Sequence, residues 1–185
     1  MLRRRRRPGT DDPLAHVDPS AVSPRFAGAV ADALAARRRY AEVLAGVRPG
    51  PVHDRLAGLG RRLDGGVTAV WDIAVRATQV ERTLAALDPQ RVTDDYKRVK
   101  RDGGQPDLEA ALAARFQSVQ RLLNALDDTD ARLRLLDARL GATVAGAAEV
   151  ALGTAGQGGA EAVGNEIDGV VADLAALRAA LDELG

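Results

Sequence analysis

The stretch that decides the fold runs from Leu108 to Val150 and reads LEAALAARFQSVQRLLNALDDTDARLRLLDARLGATVAGAAEV. Its apolar residues recur at alternating spacings of three and four, which places them on one face of an α-helix. Such spacing, kept over several heptads, is typical of the seam of a coiled coil or helix bundle. The seam positions are Leu108, Leu112, Arg115, Val119, Leu122, Leu126, Thr129, Leu133, Leu136, Leu140, Thr143, Ala147 and Val150.

The same spacing continues on both sides of this stretch, and proline or glycine interrupts it at defined points. Ser23-Pro24 and Asp88-Pro89 each combine a capping residue with a proline suited to the first helical turn. No segment shows the period of two that a half-buried strand requires. The sequence therefore predicts an all-α protein of about five helices, near 24–47, 52–87, 90–101, 107–151 and 160–184.

Helices this long exceed the globular average, so we expect an elongated helical bundle with a long antiparallel coiled-coil hairpin. The hairpin would join 52–101 to 107–151, with the first and last helices on its flanks. Extra apolar residues widen the stripe from Leu108 to Leu126, which indicates a bundle-like body there. From Asp127 to Arg139 the stripe narrows, which indicates a thinner, paired end or a surface reserved for another subunit.

The N-terminus differs from the rest of the chain. Residues 1–22 are rich in arginine and proline and hold few large apolar side chains, so we expect a disordered tail before a single domain at 23–185. The charged start lacks the apolar core of a signal sequence, and no stretch of about 20 residues is apolar enough to span a bilayer. We therefore expect a cytoplasmic protein, and the heavy use of arginine and alanine indicates a high-GC bacterial genome.

Composition also limits the chemistry. The chain has no cysteine and only two histidines, which excludes disulfides, thiolate metal sites and thiol catalysis. The densest acidic cluster, residues 127–130, lacks the glycine and glutamate of a calcium loop. Its spacing predicts ion pairs from Asp128 to Arg132 and from Asp130 to Arg134. We predict no catalytic residue, no cofactor and no metal, and thus a protein that is not an enzyme.

The seams predict a helical scaffold or adaptor that acts by coiled-coil self-association or by binding a partner's helix. Long narrow stripes rarely bury themselves fully within one chain, so we expect a homo-oligomer or a helical protein partner. The leucines expected at such an interface are Leu122, Leu126, Leu133, Leu136, Leu140, Leu174, Leu177 and Leu181.

An alternative interpretation starts from the basic run Arg3, Arg4, Arg5, Arg6 and Arg7, where each arginine contributes about 1 kcal/mol at an anionic membrane surface. A long helical hairpin with flanking helices and a basic N-terminus resembles, in layout, the bacterial phage-shock and ESCRT-III-like proteins. The resemblance implies a peripheral membrane protein that assembles on anionic lipid. A third, less favoured interpretation is a nucleic-acid-associated protein in which the same arginines contact phosphates.

The formal net charge of zero conceals a polarity along the chain. Residues 1–48 carry ten arginines against five acidic residues, whereas residues 141–185 carry one arginine against seven acidic residues. This polarity suits either head-to-tail contact between subunits or a tail that folds back on its own chain.

Overall fold

The computed structural model describes residues 12–156 and 158–183, and these residues form five α-helices. The helices pack against each other as a bundle. The predicted all-α class and number of helices are confirmed, and the observed bounds differ from the predicted ones by two residues at most. The helices are α1 (Pro24–Ala45), α2 (Pro51–Ala86), α3 (Pro89–Asp102), α4 (Pro106–Leu152) and α5 (Gly159–Asp182).

Proline and glycine set most of the helix ends. The first four helices begin with proline, whose fixed φ suits the first turn and whose missing N–H is not needed there. Asp88 caps α3 by accepting the N–H of Arg91 at 3.2 Å. Helices α3 and α4 end at Gly103 and Gly153, both with φ of 71°, a left-handed conformation that glycine adopts without strain.

Helices α1 and α2 form an antiparallel hairpin around the short turn 46–50. The hydroxyl of Tyr40, near the end of α1, donates to the carbonyl of Leu56 near the start of α2, at 2.9 Å. At the other end of the hairpin, the N–H of Ser23 donates to Thr78 Oγ1 at 3.0 Å. The two contacts fix both the direction and the register of the pair.

Helix α5 lies parallel to α2 and forms a second hairpin with α4. Arg62 contacts Asp168 at 2.9 Å, and Asp72 contacts Arg178 at 2.8 Å, so residue numbers rise together along α2 and α5. The short link 153–158 returns the chain antiparallel to α4, against which α5 packs. The body is thus built from two hairpins side by side.

The hairpins are joined laterally by α1 and α4, which run parallel. Arg25 at the start of α1 contacts Asp127 of α4 at 2.6 Å, and Asp32 of α1 faces Asp137 further along. The order around the body is therefore α1, α2, α5, α4, with α2 and α4 on a diagonal. The two long helices run antiparallel and contact each other, and α1 and α5 lie on either side of them, as expected. The result is a four-helix bundle in which α1 and α5 each contact both long helices.

The core of the body surrounds the second part of α4. Helix α1 begins beside Asp127 and α5 ends near Arg76, so α4 has all three neighbours only after about this level. Within α4, Val119 is the one buried residue before Leu126. The body therefore lies at the narrow seam and not at the wide stripe, and the two expectations drawn from stripe width are wrong. The buried residues of α4 in the body are Leu126, Thr129, Leu133, Leu136, Leu140, Thr143, Val144 and Ala147.

Residues 12–22, which we call the strap, pack against the body and do not belong to a disordered tail. Two aspartates organise the strap locally: Asp12 Oδ1 accepts the N–H of Leu14 at 3.2 Å, and Asp18 Oδ1 accepts the N–H of Ser20 at 2.9 Å. A further hydrogen bond from the Ser20 hydroxyl makes the largest contribution to lowering the pKa of Asp18. The predicted disordered tail, which ended at residue 22, is therefore wrong for residues 12–22. Three apolar side chains of the strap are buried there, namely Leu14, Val17 and Val22.

Candidate functional site

The leucines that the sequence assigned to an interaction surface lie mainly inside the body. Seven of the eight are at most 3% exposed, and Leu122 is half-buried. The long seams are therefore covered within one chain, which removes the reason for expecting a second chain to cover them. The seven buried leucines are Leu126, Leu133, Leu136, Leu140, Leu174, Leu177 and Leu181.

The acidic last helix finds partners in its own chain. Arg139 of α4 contacts both Glu166 and Asp173 of α5, and its hydrogen bonds to these two carboxylates raise the pKa of the guanidinium. Much of the negative charge of α5 is thus paired within the bundle. The residues Arg3 to Arg7, predicted to contact an anionic surface, lie outside the described residues. Three further ion pairs join α5 to α2, and they are Arg62–Asp168, Arg178–Asp72 and Arg76–Asp182.

The acidic cluster at 127–130 forms ion pairs. The predicted pairs are confirmed: Asp128 contacts Arg132 at 2.8 Å, and Asp130 contacts Arg134 at 2.9 Å. In the part of the chain that the structure describes, no group of three or more histidine, aspartate and glutamate side chains could hold a metal ion. The cluster therefore contributes surface ion pairs worth a few tenths of a kcal/mol each.

Beyond the body, residues 87–123 form a projection that we call the tip. It consists of Leu87, which follows the last residue of α2, of α3, and of the first part of α4. The rings of Tyr96 and Phe116 stack with centroids 4.9 Å apart, and Val92 and Val119 are fully buried beside them. These contacts join α3 and α4 in an antiparallel pair. The tip thus has a small core of its own, made by fewer helices than the body.

The apolar stripe of α4 is only partly covered at the tip. Arg115 donates to the carbonyl of Leu87, which directly follows α2, at 3.5 Å, so α2 ends level with Arg115. Leu112 and Leu108 lie one and two turns earlier on the same stripe, beyond the point where α2 stops. Leu108 is 49% exposed, Leu87 is 36% exposed and Leu112 is half-buried. The position that a longer α2 would occupy is therefore open in the described part of the chain.

Charges of both signs surround this uncovered stripe. Lys97 and Lys100 are exposed near the end of α3, and Lys100 Nζ lies 5.8 Å from the centroid of the Tyr96 ring. Asp107 and Glu109 lie in the first turn of α4. A basic patch and an acidic patch are thus neighbours across the loop 103–105. Sequence reasoning did not assign this region as the exposed surface, although the wide stripe from Leu108 onward was its signal.

No family model matches this chain, and comparison with curated proteins and with solved structures found no match. Among the described residues, no helix combines the length and the apolar character needed to cross a membrane. Function is therefore inferred from the surfaces of the chain itself.

Proposed function

We propose that this protein is a non-catalytic helical scaffold that associates with a second copy of itself through the tip. The observation that carries the proposal is the uncovered stripe of α4, where Leu108 is 49% exposed after α2 has ended. Leucines four residues apart on one helix face, such as Leu108 and Leu112, are the anchors by which one helix docks on another.

Charge favours a second copy over an unrelated helix. In a two-fold arrangement of tips, the basic end of α3 in one copy lies near the acidic start of α4 in the other. Antiparallel packing of the two α4 starts also places Leu108 of each copy against Leu112 of the other. The apolar surface is small, so we expect a weak dimer with a Kd of about 10–100 µM.

Light scattering after gel filtration, from micromolar to near-millimolar concentration, tests the proposal. We expect the wild-type chain to shift from monomer to dimer across this range. The double variant Leu108→Glu, Leu112→Glu should stay monomeric, because four carboxylates would meet in the dimer. Circular dichroism of the variant checks that the helices remain folded.

The chain offers a matched control on the same helix. Leu135 is 61% exposed and Leu152 is 78% exposed, and both lie in α4 away from the tip. The double variant Leu135→Glu, Leu152→Glu should dimerise like the wild type. A wild-type chain that is monomeric at every concentration would overturn the proposal, as would equal loss of the dimer in both double variants.

A further inference from the structure

Among the residues that the structure describes, the strap fills one half of the outer groove between α1 and α2, and none covers the other half. The strap enters the groove where Asp12 contacts Arg37 at 3.7 Å and leaves it where the N–H of Ser23 reaches Thr78. Arg37 also contacts Asp64 of α2 at 3.1 Å. The pair Arg37–Asp64 thus marks the boundary between the half that the strap covers and the half that runs on toward the turn 46–50.

In the filled half, the occupant is a short segment with a simple pattern. A carboxylate, Asp12, contacts the arginine of the groove, and apolar side chains follow two and five positions later. These side chains, Leu14 and Val17, are 4% and 8% exposed. The chain therefore shows which chemistry this groove accepts: one negative charge, then two apolar side chains on one side of a turn.

The open half offers the same chemistry. It is a cavity of about 150 Å³ with an apolar floor and with Arg37, Arg61 and Asp64 at its rim. Arg37 and Asp64 are paired with each other, so Arg61 is the arginine that would meet a new carboxylate. Gly60 gives the floor its depth, because a Cβ there would lie 3.3 Å from the ring of Tyr40, closer than ordinary packing. Tyr40 is held in place by its hydrogen bond to Leu56, and burial raises the pKa of its hydroxyl to about 12. The other apolar lining residues are Ala41, Leu44, Ala57 and Leu63.

We infer that the α1–α2 groove is a binding site for an acidic, apolar segment of a partner protein, and that the strap is an intramolecular competitor for it. The partner segment carries a carboxylate followed by apolar residues at the second and fifth positions. It binds the open half first, where Arg61 receives its carboxylate, and then displaces the strap. Three buried side chains and one ion pair, in which Asp12 remains 57% exposed, hold the strap in place.

A labelled synthetic peptide of residues 10–22 is the probe, because it carries the required pattern. Its fluorescence anisotropy is followed during titration with the full-length chain. We expect weak binding to the wild type, in which only the open half is accessible, and at least ten-fold tighter binding to the variant Leu14→Asp, Val17→Asp, whose strap is released. A peptide of the same composition in scrambled order should not bind to either.

Two further variants locate the binding. Ala57→Glu places a carboxylate on the floor of the open half and should abolish binding to the otherwise wild-type chain. Ala31→Glu, on an exposed position of α1 outside the groove, should leave binding unchanged. If the variant Leu14→Asp, Val17→Asp does not fold, the comparison of the wild type with Ala57→Glu still tests whether the peptide binds the open half.

The inference is overturned if the wild type does not bind the peptide at near-millimolar concentration, or if the folded released variant binds no tighter than the wild type. It is also overturned by a combination of three results. The wild type binds anionic phospholipid vesicles or duplex DNA, Arg61→Gln abolishes that binding, and the peptide does not bind. In that case the groove is an anion site and not a segment-binding site.

Discussion

The two parts of α4 differ in how completely neighbouring helices cover their apolar residues. In the body, a narrow apolar seam meets three neighbouring helices and is buried almost completely, as at Leu133 and Leu140. At the tip, the wider apolar stripe meets α3 and the end of α2 alone among the described residues, and Leu108 remains half exposed. One continuous helix thus carries a surface that is complete within the chain and another that is incomplete.

The difference shows that stripe width does not predict the number of neighbours. The seam of the body combines leucines with the smaller side chains of Thr129, Thr143 and Ala147, and small side chains let helices approach closely enough to bury a narrow stripe. Larger side chains at the tip, such as Phe116 and Leu123, bury themselves only in part against two helices. The proposed function depends on this apolar stripe, which is wider than its cover.

The largest expected effect tests the difference in packing between the body and the tip. Leu140→Ala should lower the free energy of unfolding by about 2–5 kcal/mol, because it leaves a cavity among packed helices. Leu108→Ala should lower it by about 1 kcal/mol or less, because half of that side chain is already in water. Urea denaturation at a concentration where the chain is monomeric measures both. Equal losses would show that the tip is as well packed as the body.

A smaller effect separates two buried threonines of the body. Thr78→Val should cost about 1–2 kcal/mol, because the N–H of Ser23 loses its acceptor at the junction of the strap and α1. Thr129→Val should cost far less, since its hydroxyl donates only to the Ala125 carbonyl of its own helix, at 2.7 Å. The same denaturation measurement compares them. If Thr129→Val lowered the free energy of unfolding as much as Thr78→Val, Thr129 would have a role between helices.

The smallest expected effect concerns Asp137 at the contact of α1 and α4. Burial, and then the negative charge of Asp32, raise the pKa of Asp137, although Arg39 partly opposes this. The folded state therefore binds this proton more tightly than the unfolded state, and the ionised carboxylate lowers stability above its folded pKa. Asp137→Asn should raise the melting temperature slightly at pH 7.

That gain should disappear below about pH 3, where the wild-type carboxyl is protonated in both states. Asp32→Asn is the control, and it should give part of the same gain, because it removes the facing charge. A gain for Asp137→Asn that persisted undiminished in acid would mean that packing, and not ionisation, is responsible.

The helices could be predicted from the sequence because their signals are local. Proline in the first turn and glycine at the ends act within a few residues, as at Pro106 and Gly153. The order of the helices around the body could not be predicted, because it depends on pairs distant in sequence, such as Arg62 with Asp168. Periodicity identifies the buried face of a helix but not the helix that covers it.

The strap was missed although a local signal was present. Asp12-Pro13 and Asp18-Pro19 repeat the cap-and-proline pattern that identified α3 at Asp88-Pro89. Of the apolar residues that pack, Leu14 and Val17 lie between the two motifs and Val22 follows the second by three residues. The low apolar content of residues 1–22 concealed this pattern. Three buried side chains are enough to order a segment when a groove is already formed by the rest of the chain.

The absence of cysteine makes one measurement of the tip especially direct. Ala111 lies at the tip on the same helix face as Leu108 and Leu112, Ala145 lies near the far end of α4, and both residues are exposed. Under mild oxidation at a concentration where the dimer forms, we predict a disulfide-linked dimer from Ala111→Cys and little or none from Ala145→Cys. Equal cross-linking at the two positions, or cross-linking only at Ala145→Cys, would contradict association through the tip.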